Sequence, residues 1–203
     1  ARNTCPAAVG RDGVYVEPYG GKGLTDVKGG IIHDWSGATF IPGATLDATL
    51  SLLRNYDNHK NLFQPEVIDS RVLSNQGDDY KVYLKLRKKK ILTVLLNTEY
   101  DVIYRKFDAH HAFSRSYSTK IAEVEDDGRE LPVGDDHGFM WRLYAYWRFE
   151  ERDGGVWVEC ETISLSRGVP FLLGNLIAPI IKSLPRESLE KTLLNTRNAL
   201  AKK

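Results

Sequence analysis

From Val169 to Ile181 the sequence carries no charge, and no other stretch constrains the fold as strongly. Leu172, Leu176, Ile180 and Leu184 recur at every fourth residue, and Leu173, Ile177 and Ile181 do the same. That period gathers apolar side chains on one broad helical face. Leu189, Leu193 and Leu200 extend the stripe, and Lys202 and Lys203 sit where cations suit a helix C-terminus. The spacing predicts a long helix from Gly168 to Leu200, kinked at Pro179 and restarted at Pro185, because proline fits a first turn. A helix this apolar needs a covering surface. No stretch of the chain reaches the ~18 apolar residues of a transmembrane helix.

The covering surface is legible upstream as a hundred residues of β pattern. Val67 to Ser74 reads as a strand and Asn75-Gln76-Gly77-Asp78 as a hairpin turn. In Asp79 to Leu86, Tyr80, Val82, Leu84 and Leu86 fall on one side, and Lys81, Tyr83 and Lys85 on the other. Ile91 to Tyr104, Phe113 to Val124, Phe139 to Glu150 and Val156 to Leu165 follow as strands. Hairpins join them without helical crossovers, so the sheet is antiparallel. Gly30 to Ile41 supplies one more strand, which Pro42-Gly43 stops. A short helix follows, with Thr45 as its cap, Asp47 in its first turn and Leu46, Leu50 and Leu53 on one face, fading at Asn55 to His59. The expectation is an α+β domain over 29–203: a curved, seven-stranded antiparallel sheet wrapped around a long C-terminal helix. Residues 1–28, rich in Gly and Pro, read as a leader or extension in which only Val14 to Val16 looks like a strand.

These segments resemble the START-like superfamily, whose helix-grip fold serves steroidogenic-acute-regulatory-type lipid-transfer domains, polyketide cyclases and pollen-allergen-like proteins. Phe40-Ile41-Pro42-Gly43 leading into the first helix with its Tyr56-Asp57 end is similar to the polyketide cyclase/dehydrase and lipid-transport branch. So are Pro65-Glu66-Val67, Gly77-Asp78-Asp79-Tyr80, Ser164 to Pro170, and Pro185-Arg186-Glu187-Ser188-Leu189. The resemblance covers about residues 29 to 201. It implies a hydrophobic small molecule or lipid bound in a cavity between sheet and helix, with transport as an extension of that binding. The alternative it implies is a cyclase or dehydratase acting on a polyketide-like substrate with acid/base groups in that cavity.

Direct chemical motifs are missing. The sequence holds no G-x-S-x-G, H-E-x-x-H or C-x-x-C, and Gly20, Gly21 and Gly23 do not open a helix after a strand. His33, His59, His110, His111 and His137 lack ligand spacing, so neither a metal nor a cofactor is expected. The cavity candidates are therefore polar and aromatic residues on alternating strand faces. They are Asn97 and Glu99, Arg115 and Tyr117, Trp141 and Trp147, and Glu159 and Glu161, facing Leu173, Ile177 and Ile181 of the helix. An inward Glu99 or Glu159 beside Arg115 would form an acid/base pair. Alternatively these faces are the solvated outer side of the sheet, laddered by ion pairs.

The formal net charge of +1 gives no global field for nucleic acid, and none is expected as a partner. Arg87 to Lys90 reads as a turn or solvated edge. Stable membrane insertion is not expected, and the oligomeric state is left open. Cys160 is expected to be free and buried, with Cys5 incidental. The first residue is Ala, so an exported protein with its signal removed is one expectation for location.

Overall fold

Strand β3, Gly30–Pro42, organises the sheet because one of its edges is paired along its whole length and the other along most of it. The computed structural model describes residues 13–89, 93–132, 134–168 and 174–201, with the backbone alone for 174–182. One edge of β3 pairs with β9, Gly155–Arg167, over thirteen residue pairs. The other edge is shared end to end by β1, Val14–Pro18, and β2, Leu24–Val27. Beyond β9 the order continues through β8 (Arg142–Arg152), β7 (His111–Val124), β6 (Thr93–Lys106), β5 (Asp79–Lys89) and β4 (Val67–Gln76), each antiparallel to its neighbour. The sheet has nine strands, not seven. The two extra strands come from residues 14–27, which β3 recruits by main-chain pairing that side-chain periodicity does not reveal.

Helix α1, Leu46–Arg54, begins where Thr45 accepts a hydrogen bond from the Ala48 amide at 3.2 Å. Its Leu46 amide also donates to the Glu151 carboxylate of β8 at 2.5 Å, placing an anion at the positive helix end. A helical turn at Tyr56–Asn58 and α2, His59–Leu62, extend this element beyond the expected fade. Helix α3, Gly174–Leu200, runs unbroken through Pro179 and Pro185, where a kink and a restart were expected. Burial of Leu189 and Leu193 against the sheet outweighs the amide bonds that proline removes. Residues 169–173, at the expected start of this helix, lie outside the described residues, as does Cys5; Cys160 is free and buried.

Register fixes which side chains face α3. The inner set is Ile31, His33, Trp35, Gly37, Thr39 and Ile41 on β3, opposite Ser166, Ser164, Thr162, Cys160, Val158 and Val156 on β9. Those residues continue to Leu143, Ala145, Trp147 and Phe149 on β8, then to Ser118, Ser116, Ser114 and Ala112 on β7. Tyr100, Val102 and Tyr104 of β6 and Val82 and Leu84 of β5 complete the surface. The helix lies on β3, β1 and β9. A Cβ placed on Gly37 would lie 2.7 Å from Leu193 Cδ1 and 2.9 Å from the Tyr15 carbonyl oxygen.

That close approach yields a direct expectation. Gly37→Ala should destabilise the protein by about 1–3 kcal/mol through overpacking, lowering Tm by roughly 2–10 °C. Thermal unfolding followed by circular dichroism measures it, with Gly168→Ala as the control at a glycine whose added Cβ would meet only ordinary contacts of 3.8 Å or more.

Candidate functional site

Because α3 covers the β3–β9 side of the sheet, the inner faces of β5 to β8 remain apart from it. The space between is a cavity of about 310 Å³. Its floor comes from β5 through β9, its roof from Leu184, Pro185, Leu189 and neighbours on α3, and one end from Leu53, Tyr56, His59 and Phe63. Volumes of this order, with mostly apolar walls, are typical of small-molecule sites.

The α1–α2 end is held by a satisfied polar knot. The Leu53 carbonyl accepts from His59 Nε2 at 2.9 Å and from the Tyr104 hydroxyl at 3.2 Å. The Tyr56 hydroxyl then donates to the Tyr104 oxygen at 2.8 Å. Rings stack around it, His59 to Tyr56 at 4.5 Å and His59 to Phe63 at 4.9 Å. Burial holds the His59 pKa down to about 4, against the opposing pull of its bond to Leu53. Burial also raises the Tyr104 phenol to about 12, so both groups are neutral near pH 7.

The other end carries the cavity's charges. Lys88 continues the inner register of β5 and pairs with Glu66; it also donates to Ser188 Oγ of α3 at 2.5 Å. Lys191 of α3 reaches the second Glu66 oxygen at 3.3 Å. Burial lowers the Lys88 pKa, while Glu66 pulls it back up. Arg87 to Lys90 is therefore not simply a solvated edge. β5 extends to Lys89 and turns Lys88 inward, while Lys90 lies outside the described residues.

Between the two ends lies a neutral polar wall. Ser116 of β7, Ala145 of β8 and Thr162 of β9 are directly opposed across three strands. The next row is Ser118, Leu143, Ser164 and His33. His33 Nε2 lies 2.9 Å from Ser166 Oγ, and burial lowers its pKa. Phe139 and Met140 reach the cavity from the β7–β8 loop. Buried Glu123 fixes that loop, accepting from the His137 amide at 3.0 Å and the Phe139 amide at 2.8 Å.

Of the candidate site residues, the structure places Trp147 in the cavity wall. The charged and polar candidates lie on the opposite, outer face. Asn97 accepts from the Tyr83 hydroxyl at 2.7 Å and donates to Glu130 at 2.7 Å. Glu99 pairs with Lys81 at 3.6 Å, and Glu159 with Arg148 at 3.3 Å. Arg115 sits 4.6 Å over the Tyr117 ring, whose hydroxyl accepts from Tyr146 at 3.1 Å. Burial raises the Glu161 pKa, with the Asp34 carboxylate adding to it. The laddered outer side is thus the reading that holds for these residues, because strand parity sends odd-numbered residues of β6 and β9 away from α3. Trp141 is displaced for another reason: β8 begins at Arg142, so Trp141 belongs to the loop and bonds Asp136 at 3.0 Å. Leu173 lies outside the described residues, as do the side chains of Ile177 and Ile181.

No family model matches the sequence, and no curated protein matches it. Solved structures do. A STAR-related lipid transfer protein fragment from Xanthomonas axonopodis superposes with a TM-score of 0.57 at 18% identity, covering 89% of this chain and 99% of that one. The fold is START-like. The di-domain ARO/CYC protein StfQ of the steffimycin biosynthetic pathway aligns at TM-score 0.54 and 14% identity, over 84% of this chain and 51% of that one. Human STARD10 aligns at TM-score 0.51 and 10% identity, over 85% and 71%. At these identities the likeness concerns the START-like fold. Among the described residues no cluster of His, Cys, Asp or Glu could hold a metal ion, and no helix is long and apolar enough to cross a membrane.

The depressed His59 pKa fixes the sign of a pH effect. The unfolded chain takes up a proton near pH 6.5 while folded His59 resists until about pH 4. Stability is therefore full above pH 6.5 and declines between those values, by roughly 3 kcal/mol from this group at about 1.4 kcal/mol per unit. Urea unfolding at pH 7 and pH 4.5 should show the loss, and His59→Gln should flatten it. An equal slope in the variant would assign the loss to other groups.

Proposed function

We propose that this protein binds a hydrophobic small molecule or lipid in the cavity between α3 and the sheet. The observation that carries the reading is the cavity itself: about 310 Å³, apolar along β5 and β6, closed at one end by a neutral hydrogen-bonded knot and at the other by paired charges. Transfer of apolar surface from water into such a space is favourable at about 25 cal/mol per Å². The START-like fold is consistent with this reading, since lipid transfer and ARO/CYC functions stand in the names of proteins that share it. Transport would require that the ligand be released as well as held.

A cyclase or dehydratase would need an acid/base pair in contact with that ligand. Its expected members, Arg115 with Glu99 or Glu159, face away from the cavity. Lys88 and Glu66 neutralise each other at the cavity end. Binding without chemistry is the simpler account of this lining.

Two measurements test the proposal. Organic extracts of purified protein should contain a stoichiometric hydrophobic compound by mass spectrometry, or stripped protein should bind the neutral dye Nile red with saturation. Ala145→Phe fills the centre of the floor and should weaken dye binding at least tenfold, with Leu143→Trp as a second blocking variant. Folded variants that bind dye as well as the native chain would sink the cavity assignment.

A further inference from the structure

The hydroxyls of Ser116, Thr162 and Ser164 all line the cavity, and none makes a hydrogen bond with another described group. Their neighbours show that the wall does not lack partners in general. Ser118 Oγ accepts from the Leu143 amide at 3.1 Å, and Ser166 Oγ contacts His33 at 2.9 Å. Ser164 is buried and Ser116 and Thr162 are half-buried, so the three hydroxyls open onto the cavity with their bonding capacity free for whatever fills it. Asn195 of α3 lines the cavity from the opposite side and likewise makes no hydrogen bond with a described group.

The arrangement of the patch is specific. Ser116 and Thr162 flank Ala145 in one cross-strand row, and Ser164 follows Thr162 on the same face of β9. Strands are spaced about 4.8 Å apart, so Ser116 and Thr162 stand roughly 10 Å from each other across a small-residue floor. Leu143 and Trp147 rise on either side of Ala145 along β8. A flat ring system laid on Ala145 would have hydroxyls at both of its ends. Along β5 and β6, Val82, Leu84, Leu86, Leu96 and Val102 are apolar, and Tyr100 among them adds one more buried hydroxyl without a partner.

Charge narrows the choice further. Among the described residues, Glu66, Lys88 and Lys191 are the charged members of the lining, and they are joined to each other. Glu187 adds a further negative charge near Lys88. Among the described residues of the lining, no cation is left without an acidic neighbour to receive a carboxylate or phosphate. A hydroxyl can donate or accept, so carbonyl and hydroxyl oxygens are both served.

Resting on the reading of this cavity as a hydrophobic site, we infer that its ligand is a neutral, oxygenated ring compound bearing carbonyl or hydroxyl groups at both ends. Ser116, Thr162 and Ser164 bind those oxygens. The ligand is neither a plain hydrocarbon nor a fatty acid.

Equilibrium dialysis of stripped protein against three probes of one ring size tests this: naphthalene, 2,6-dihydroxynaphthalene and 2-naphthoate. The diol should bind at least tenfold tighter than naphthalene, and 2-naphthoate should bind no better than naphthalene. In the triple variant Ser116→Ala, Thr162→Val, Ser164→Ala, the preference for the diol should shrink to within about threefold, with naphthalene still bound. Its Tm should be unchanged or higher, because hydroxyls without partners add nothing to the fold. Equal binding of naphthalene and the diol, tightest binding of 2-naphthoate, or a preference that survives the triple substitution overturns the inference. If Nile red binds and none of the three probes does, this inference fails alone. If Nile red also fails to bind, the hydrophobic-site reading fails with it.

Discussion

Leu193 rests on the bare backbone of Gly37, and the position of α3 follows from that contact. A side chain on Gly37 would occupy the space of Leu193 Cδ1, so glycine lets the helix approach β3 to within contact of its main chain. Leu193 is fully buried there and Leu189 nearly so. A straight helix pressed onto β3, β1 and β9 cannot also touch the inner faces of β5 and β6, several strands away. The gap is therefore a consequence of where the helix is seated, and it needs no separate device to stay open. What joins α3 to the far side is polar: Lys88 reaches Ser188, and Glu66 holds both Lys88 and Lys191. Contact on one side and an ion-pair clasp on the other give the cavity a fixed wall and a wall that electrostatics can tune.

A single register shift decides which groups complete the other wall. Between β6 and β7, Glu99 opposes Lys120 while Tyr100 opposes Ser118, so Thr119 is the extra residue of a bulge. Before it, the even-numbered Ser114, Ser116 and Ser118 face inward; after it, Ile121 and Glu123 do. A bulge reverses facing in this way because side chains alternate along a strand. Were Thr119 paired in regular register with Glu99, Glu123 would fall opposite Leu95 on the outer face. Turned inward and buried, its carboxylate gathers the amides of His137 and Phe139 and the His137 ring at 2.8 Å. The loop so fastened delivers Phe139 and Met140 to the cavity. One residue inserted in β7 thus fixes both the hydroxyl row and the loop above it.

The limits of the sequence reading follow from the same geometry. The alternation of Tyr80, Val82, Leu84 and Leu86 is visible without a structure, because burial selects apolar residues at every second position. The same holds for the Thr45 cap and the seven longer strands. Of the two strands that flank β3, β1 shows in the sequence only as Val14 to Val16 and β2 not at all, because their pairing with β3 is made by main-chain groups that every sequence has. The charged candidates Glu99, Arg115 and Glu159, with the polar Asn97, lie on the outer face of the sheet. The legible signal was quieter: Ser114, Ser116 and Ser118 alternate on β7, and Thr162, Ser164 and Ser166 alternate on β9. Small hydroxyls on the face opposite the charges, on the two strands flanking β8, mark a wall that is inward and polar at once. Lys88 was missed because a run of cations reads as solvated, and one member of such a run can turn inward when Glu66 waits there.

A core built for stability alone would not place those hydroxyls where they are. A buried hydroxyl without a partner costs about 1–3 kcal/mol relative to a bonded one. The knot at the α1–α2 end avoids that cost, whereas the buried Tyr100 hydroxyl and His33 Nδ1 in the same lining do not. Tyr104 and His59 share the single Leu53 carbonyl, Tyr56 bonds Tyr104, and Ser118 and Ser188 each find a main-chain partner. Where Ser116, Thr162 and Ser164 stand, alanine or valine would fill similar volume with no polar atom to satisfy. The contrast between a knot in which every polar group is bonded and a floor in which three are not separates the part of this cavity that holds the fold from the part that meets a ligand.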